Sequence, residues 1–333
     1  MKFDLRKMLN LKSSSERADA RRERPQYKSI DTKSMTLVLK EGGLTAVQME
    51  TLQKIMKVIS MVLIYAFLAV MAVIILLPFY WMIITSLKTN TEIRASQQTF
   101  WPEVVMWSNY VDVFDRFDFA TYLVNTLVVG ILSTIGTLFT TIFAAFAFAR
   151  LQFKGKNFLF TLLLATMMIP GEMMVITNYI TVANFGWLKD QTGVFAAMIV
   201  PFWISVFYIY LLRQNFLQIP NELYLASKVD GKTDWNYLWK VMVPLSMPTL
   251  ISIFILKLMG AWNSFVWPNL VADKQEYRLI TNGLRSSFST TAGEPEYALQ
   301  MAATVLVTVP LLLLFIFFRK YIMKGVGRAG IKG

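Results

Sequence analysis

The sequence contains no cysteine and no histidine in its 333 residues. These absences exclude disulfide scaffolds, thiol nucleophiles, the usual zinc sites and the commonest general base. Charged residues make up only 16% of the chain, against roughly 25% in soluble domains, and hydrophobic residues make up 55%. An ordinary cytosolic enzyme is therefore excluded. We expect a chain that is not an enzyme and whose function depends on carboxylates, amines, hydroxyls, aromatic faces and shape.

Long hydrophobic runs dominate the chain after its first 57 residues. A helix needs about 20 apolar residues to cross about 30 Å of hydrocarbon. Six runs meet that need, at 58–83, 122–149, 158–181, 193–212, 243–267 and 298–318. They predict an all-α membrane protein whose transmembrane domain, 58–318, has six transmembrane helices and both termini on one side. The residues before the first run are too many and too charged for a cleaved secretory signal.

Basic residues are distributed unevenly between the two sets of connecting segments. The tails and the segments 150–157 and 213–240 carry 25 Lys and Arg, whereas the other connecting segments carry 7. The positive-inside rule therefore predicts that both termini and the 213–240 loop are cytoplasmic. Topology explains most of the formal net charge of +12, so nucleic-acid binding is not needed to account for it.

Both tails are basic. We predict a cytoplasmic N-terminal tail over 1–57 and a glycine-rich C-terminal tail over 319–333. Near 44–57, apolar residues recur at nearly helical spacing, namely Leu44, Val47, Leu52, Ile55 and Met56. This spacing predicts a short helix at the inner membrane surface. The alternative is a solvated linker that becomes helical only next to the membrane.

Two ionisable residues, Glu172 and Lys257, fall inside the predicted spans. Each lies 14 positions from the inner end of its helix, or roughly 21 Å at about 1.5 Å per residue, so straight helices put both at one level. We predict that they pair or face one water-lined pathway. The alternative is an ion pair that only packs two helices together. Pro170 and Gly171 are expected to break the third helix beside Glu172.

Aromatic and amide side chains complete the predicted translocation path. Trp262 and Asn263, with Trp267, are suited to stack against and hydrogen-bond a sugar-like solute, although tryptophans are common at membrane interfaces for other reasons. The residues assigned to the path are Glu172, Asn178, Lys257, Trp262 and Asn263.

The loop between the fourth and fifth runs has the sequence signals of a helix, a turn and a second helix. Pro220 suits the first turn, Glu222 favours the positive end of the helix dipole, and Gly231 suits the left-handed residue that ends the helix. Thr233 or Asp234 is suited to cap the second helix. We interpret this loop as a compact docking element.

The same loop contains a near match to a phosphate-binding motif. Residues 226–233 follow the pattern G-x-x-x-x-G-K-[ST], with alanine for the first glycine. Such a loop binds phosphate only between a buried strand and a helix. No hydrophobic strand precedes Ala226, so we expect no nucleotide to bind this chain. We expect no metal site either, because the chain lacks cysteine and histidine.

The motif Glu222-x-x-x-Ala226-Ser227-x-x-Asp230-Gly231 resembles the EAA loop of permeases in binding-protein-dependent ABC importers. Further segments, in order over nearly the whole chain after the tail, resemble the smaller permease subunit of the maltose-type carbohydrate importers. They are Leu77-Pro78, Thr85-Ser86-Leu87-Lys88, Asn125-Thr126, Ala147-Phe148-Ala149-Arg150, Met168-Ile169-Pro170-Gly171-Glu172, Val243-Pro244-Leu245, Trp262-Asn263-Ser264-Phe265 and the ending from Gly325 to Gly333. Two positions depart from the pattern: Ser227 replaces an alanine, and Lys232 replaces a small residue.

The resemblance implies half of a type I importer in the cytoplasmic membrane of a prokaryote. The implied partners are a second homologous permease, two ATP-binding subunits that hold ATP and magnesium, an extracytoplasmic solute-binding protein, membrane lipid and a carbohydrate. Within the cytoplasmic loop 213–242, the 220–231 helix is implied to be the coupling helix. The implied contacts are Glu222, Ala226, Ser227, Asp230 and Gly231 in that loop, and Gly325, Gly330 and Lys332 in the C-terminal tail.

Three other functions compete with this interpretation. An ion-gradient-driven secondary transporter would use Glu172 as its coupling carboxylate, but it has no need of a docking loop. A membrane-embedded enzyme lacks the convergent acid, base and nucleophile that it requires, and no span has the arginine stripe of a voltage sensor. The carbohydrate itself is left open among mono-, oligo- and polysaccharides and polyol phosphates.

Overall fold

The computed structural model describes residues 46–288 and 295–327, with side chains over 49–288 and 295–320. Within these ranges the chain consists of helices joined by turns and short loops, with no strand. This confirms the all-α class. The chain divides into two compact units, Met1–Leu76 and Leu77–Gly333.

The first unit contains, among its described residues, most of helix α1 (Ala46–Ser86), which has Pro78 inside it. The predicted span 58–83 lies within α1. Residues 46–57 belong to the same continuous helix, and their placement at a membrane surface stays a prediction. The predicted N-terminal tail up to residue 45 lies outside the described residues.

The second unit continues with helices α2 to α15. In chain order they are α2 (Asn90–Arg94), α3 (Asn109–Arg116), α4 (Phe119–Ala149), α5 (Lys156–Thr166), α6 (Val175–Asn184), α7 (Gln191–Ile199), α8 (Val206–Gln218), α9 (Asn221–Val229), α10 (Asp234–Tyr237), α11 (Val243–Leu245), α12 (Met247–Trp262), α13 (Val266–Val271), α14 (Ile280–Phe288) and α15 (Tyr297–Gly327). Tight 3₁₀ turns occupy Gly171–Met174, Val200–Phe202 and Gln275–Tyr277, and a π-helical turn occupies Leu238–Met242.

Three of the six hydrophobic runs lie in single long helices, and three lie in pairs of helices joined by a bend. Helices α1, α4 and α15 are each long and apolar enough to cross a membrane alone. The other three runs are bent helix pairs, with angles of 83° between α5 and Gly171–Asn184, 45° before α8 and 76° before α12. Six spans result if each bent pair crosses once, and that number stays a prediction.

The bends lie where the backbone hydrogen-bond ladder is interrupted. The break predicted at Pro170 and Gly171 is confirmed. At the break before α8, Thr137 Oγ1 donates to the Phe202 carbonyl at 3.0 Å and Thr140 Oγ1 donates to the Trp203 carbonyl at 2.6 Å. Because an unpaired carbonyl in hydrocarbon costs several kcal/mol, these two threonines of α4 stabilise the break.

Helix α4 is the centre of the second unit. It packs against α8 and α12, and α12 packs against α15. One buried cluster joins α4 to α8 and α10, and it comprises Ile142, Ala145, Phe146, Ala149, Leu212, Phe216, Ile219, Tyr237, Leu238, Met242, Val243, Leu250 and Ile253. A second cluster joins α4 to α3, α12, α14 and α15, and it comprises Val113, Phe117, Tyr122, Trp262, Ile280, Ala302, Ala303 and Val307.

Gly283 packs closely against Tyr122 of α4. A Cβ atom on Gly283 would lie 2.4 Å from Cδ2 of the fully buried Tyr122. We expect Gly283→Ala to displace this ring and to destabilise the fold by about 1–3 kcal/mol. The measurement is the thermal unfolding midpoint of the chain in detergent.

The matched control is Gly260→Ala, because a Cβ atom there meets nothing within 4 Å. We expect it to be neutral, or stabilising by up to about 1 kcal/mol through helix propensity. Equal midpoints for the two variants would contradict the close packing of α14 on α4.

Candidate functional site

Helix α9 occupies the loop that the sequence identified as a docking element. Pro220 lies at the N-cap position, one residue before the first turn in which it was predicted, and Glu222 lies in that turn. Gly231 has φ +69°, which confirms the predicted left-handed position. The Gly231 N–H donates to the Lys228 carbonyl at 3.0 Å, and the Lys232 N–H donates to the Ser227 carbonyl at 2.9 Å. This is the paired C-terminal capping pattern that requires a residue such as glycine at that position.

The inner face of α9 packs against α10, which Thr233 caps through a hydrogen bond from the Asn236 N–H. The Tyr224 hydroxyl donates to Asp234 Oδ1 at 2.8 Å, and its ring meets the Tyr237 ring edge-on at 5.1 Å. Lys228 Nζ lies 2.8 Å from the same carboxylate oxygen. The two short helices of the loop therefore behave as one packed body.

The electrostatics of this inner face keep its hydrogen bonds in place at neutral pH. Burial raises the pKa of the Tyr224 hydroxyl, and the hydrogen bond to Asp234 raises it further. The hydrogen bond to Asp234 also raises the pKa of the Lys228 ammonium. Tyr224 therefore stays neutral and Lys228 stays protonated, so both remain donors to the carboxylate.

The outer face of α9 is exposed. Glu222, Leu225, Ala226 and Val229 share this face at helical spacing, and Leu225 is 55% and Val229 88% exposed. We call these four side chains the α9 outer face. Apolar side chains presented together on a helix with a carboxylate are typical of a protein contact surface.

The structure separates the five predicted loop contacts. Glu222 and Ala226 lie on the α9 outer face, and Asp230 and Gly231 are exposed at the end of the helix. Ser227 is half-buried and lies on the same side as Tyr224. Its contact with a partner subunit stays a prediction.

Arg150 anchors the start of α9 and was given no role by the sequence pattern. It caps the end of α4 and is only 7% exposed. Its Nη2 donates to the Phe216 carbonyl at 2.9 Å and also to the Ile219 carbonyl, and its Nη1 lies 3.4 Å from Asn221 Oδ1. One guanidinium thus joins the ends of α4 and α8 to the first residue of α9. The available signal was an arginine placed directly after a long apolar helix.

The predicted pair of Glu172 and Lys257 is not formed. Lys257 Nζ donates to the Phe202 carbonyl at 3.1 Å, while Glu172 is exposed in the 3₁₀ turn after Pro170. Among the residues that the structure describes, no ion pair joins the two. The prediction assumed straight helices, but the 83° bend at Pro170 removes that geometry. Exposure of both residues to one pathway stays a prediction.

The other predicted path residues are placed differently from one another. Trp262 is 4% exposed and belongs to the buried cluster around Tyr122, so its ring is part of the core and does not present a face to a solute. Asn263 is exposed at the end of α12, and Asn178 is half-buried in α6. Trp267 is also buried, and its Nε1 donates to the Ala197 carbonyl at 3.0 Å.

Lys257 faces a cavity of about 240 Å³ between α4, α7 and α12. Ser133, Phe202, Tyr208 and Ser264 also line it. This mixture of one ammonium, hydroxyls and aromatic rings is able to hydrogen-bond a polar solute.

The predicted C-terminal tail contacts and the near match to a phosphate-binding motif are the remaining features of the sequence. Gly325 lies in the last turns of α15, whereas Gly330 and Lys332 lie outside the described residues. Residues 226–233 form the end of a helix and a turn, with no strand before them in the described part of the chain. The geometry of a phosphate-binding loop is therefore absent at this motif.

Comparison with known proteins agrees with this arrangement. Residues 136–328 match the family described as binding-protein-dependent transport system inner membrane component. The arabinooligosaccharides transport system permease protein AraQ of Bacillus subtilis (strain 168) is 28% identical over 270 residues, which cover 80% of this chain and 94% of that protein.

Two solved structures share the fold. A bacterial ABC transporter involved in the import of the acidic polysaccharide alginate aligns with a TM-score of 0.68 at 21% identity, covering 80% of this chain and 96% of that one. The bacterial alginate ABC transporter in complex with an alginate pentasaccharide-bound periplasmic protein aligns with a TM-score of 0.58 at 18% identity, covering 78% and 95%. The family match covers more than half of the sequence and includes α9. The chain therefore belongs to the family of binding-protein-dependent transport system inner membrane components.

Proposed function

We propose that this chain forms half of the translocation path of an ATP-driven carbohydrate importer and that α9 is its contact with an ATP-hydrolysing subunit. The observation that carries the proposal is the α9 outer face, an exposed apolar surface on a firmly anchored helix in a chain of this family. An ion-gradient carrier has no need of such a surface. Family membership likewise favours the importer over that alternative.

The proposed partners follow from the family and from the similar proteins. A second homologous permease would complete the path, two subunits would bind ATP and magnesium, and an extracytoplasmic protein would deliver the solute. The similar proteins are named for arabinooligosaccharides and for alginate, and one was solved with a periplasmic protein that carries an alginate pentasaccharide. These names support a carbohydrate as the solute.

The proposed coupling acts through packing. Closure of the ATP-binding subunits would move α9 and α10 together, because Tyr224 and Lys228 both bind Asp234. Arg150 would transmit that movement to the ends of α4 and α8. Helix α4 is the central helix of the unit, so a shift at its end would reorient the membrane helices between two states of access. The tail residues Gly325, Gly330 and Lys332 are proposed as a further contact with the same partners.

Val229→Asp tests the docking surface directly. Val229 is 88% exposed, so a carboxylate there leaves the fold of the chain unchanged. Burying the same carboxylate at an interface is unfavourable, and we expect at least about tenfold weaker association, equivalent to about 1.4 kcal/mol. The measurements are copurification of the ATP-binding subunit and ATP-dependent uptake in vesicles.

Lys240→Gln is the control for Val229→Asp, because Lys240 is exposed in the same loop but lies outside α9. Normal association and uptake are expected for this variant. Uptake by Val229→Asp at the wild-type rate would refute α9 as the coupling contact.

Arg150→Gln tests the anchoring of α9. Charge-assisted hydrogen bonds to two carbonyls would be lost, at about 1.5–3 kcal/mol each. We expect faster hydrogen exchange over 216–230 and less solute imported per ATP hydrolysed. Lys154→Gln in the adjacent loop removes an exposed cation and leaves both values unchanged. If Arg150→Gln exchanges and imports like the wild type, Arg150 does not position α9.

The proposed orientation is testable because the chain has no cysteine of its own. Lys154→Cys and Lys189→Cys each place one thiol at an exposed position in segments predicted to lie on opposite sides. A membrane-impermeant maleimide is expected to label Lys189→Cys on intact cells, and to label Lys154→Cys only after permeabilisation. The reverse pattern would overturn the predicted topology.

A further inference from the structure

A second polar site lies at the end of α4, apart from both α9 and the Lys257 cavity. The loop after α4, the first turn of α5 and the last turns of α8 line an open cavity of about 400 Å³. Its polar lining includes Gln152, Lys156, Asn157 and Arg213. We call this cavity the basic pocket.

The two cations of the basic pocket are held in place by the end of α4. Lys156 Nζ donates to the Leu151 carbonyl at 2.9 Å, and Arg213 Nε donates to the Phe148 carbonyl at 3.0 Å. The Arg213 guanidinium also lies 4.0 Å from the centre of the Phe160 ring. An ammonium has three donors and a guanidinium has five. These contacts therefore fix the two side chains while leaving donors for a ligand.

No protein carboxylate neutralises these cations in the part of the chain that the structure describes. Lys156 and Arg213 form no ion pair there. The sequence explains why: residues 119–171 and 191–221, which include all of α4, α5 and α8, contain no Asp or Glu. Two adjacent cations without a counter-charge favour the binding of an anion.

The rim of the basic pocket is apolar and exposed. Phe158 is 71% exposed, and Phe153 and Leu217 are also exposed beside the cations. Helices α4, α5 and α8 are all segments of candidate membrane spans, so we expect their ends near the level of the lipid headgroups. Cations with an apolar rim at this level match a phosphate attached to acyl chains better than a free phosphate.

We propose that the basic pocket binds the phosphate group of an anionic phospholipid, with Lys156 and Arg213 as its charged ligands and Gln152 and Asn157 as neutral donors. The acyl chains would lie against Phe153, Phe158 and Leu217. A bound lipid would occupy the space between the end of α4 and α8, next to the Arg150 anchor.

The test uses the full chain purified with its partner subunits and washed in detergent with phosphatidylglycerol. Native mass spectrometry counts the retained lipid. Asn157→Asp puts a carboxylate on the pocket wall at an exposed position and keeps the α4 contacts intact, so the fold is preserved. We expect about tenfold less retained phosphatidylglycerol, because a charge-assisted site is converted to a repulsive one. The double variant Lys156→Gln, Arg213→Gln is expected to lose retention as well.

Gln218→Glu is the matched control, because it makes the same amide-to-carboxylate change at an exposed position of α8 outside the pocket lining. It is expected to retain lipid like the wild type. Equal retention by Asn157→Asp and Gln218→Glu would overturn the proposal.

Two further arms distinguish the sources of the phosphate. Inorganic phosphate at millimolar concentration is expected not to displace the lipid, and zwitterionic phosphatidylcholine is expected to be retained more weakly. Displacement by inorganic phosphate would overturn the lipid and assign a free-phosphate site. Equal retention of phosphatidylcholine would show that the acyl chains alone are recognised and would overturn the role of the cations.

Discussion

The buried guanidinium of Arg150 is the interaction on which the arrangement of α4, α8 and α9 depends. A cation at 7% exposure is costly unless its donors are satisfied. Nη2 of Arg150 meets part of that requirement by donating to the backbone carbonyls of Phe216 and Ile219 at the end of α8, while its Nε has no hydrogen-bond partner among the described residues. These contacts pair Nη2 of the guanidinium with carbonyls at a helix end. They also set the point from which α9 starts.

From that point the loop is packed on its inner face and exposed on its outer face. Tyr224 and Lys228 hold α9 to Asp234, while Leu225 and Val229 are left exposed. A helix without contacts to its own chain would not transmit a partner's movement to the rest of that chain. A helix buried on both faces would leave no surface for a partner to bind. The arrangement around α9 avoids both, and the proposed coupling between subunits depends on this.

Within the apolar part of the chain, breaks are stabilised by polar groups on neighbouring helices. Thr137, Thr140 and Lys257 all donate to carbonyls at the break before α8. The hydrogen-bond partner of Lys257 is therefore a backbone carbonyl and not a carboxylate. Because its ammonium already has this acceptor, Lys257 does not need an ion pair with Glu172 inside a predicted span. This contact also places the ammonium on the wall of a cavity, where it retains donors for a polar solute.

The sequence by itself determined the all-α class, the six apolar runs, the break at Pro170 and the turn at Gly231. It also determined, to within one residue, the start of α9 at Pro220 and the cap of α10 at Thr233 or Asp234. These depend on composition, run length and local backbone preference, which are properties of neighbouring residues. It also identified the family, through motifs spread along the chain. Only the tertiary structure decided that Trp262 is core, that Ser227 faces inward, that Arg150 joins three helix ends and that Glu172 and Lys257 do not pair. The physical reason is that bends of 45° to 83° redirect the segments that follow them, so distances counted along a straight helix no longer predict which side chains meet.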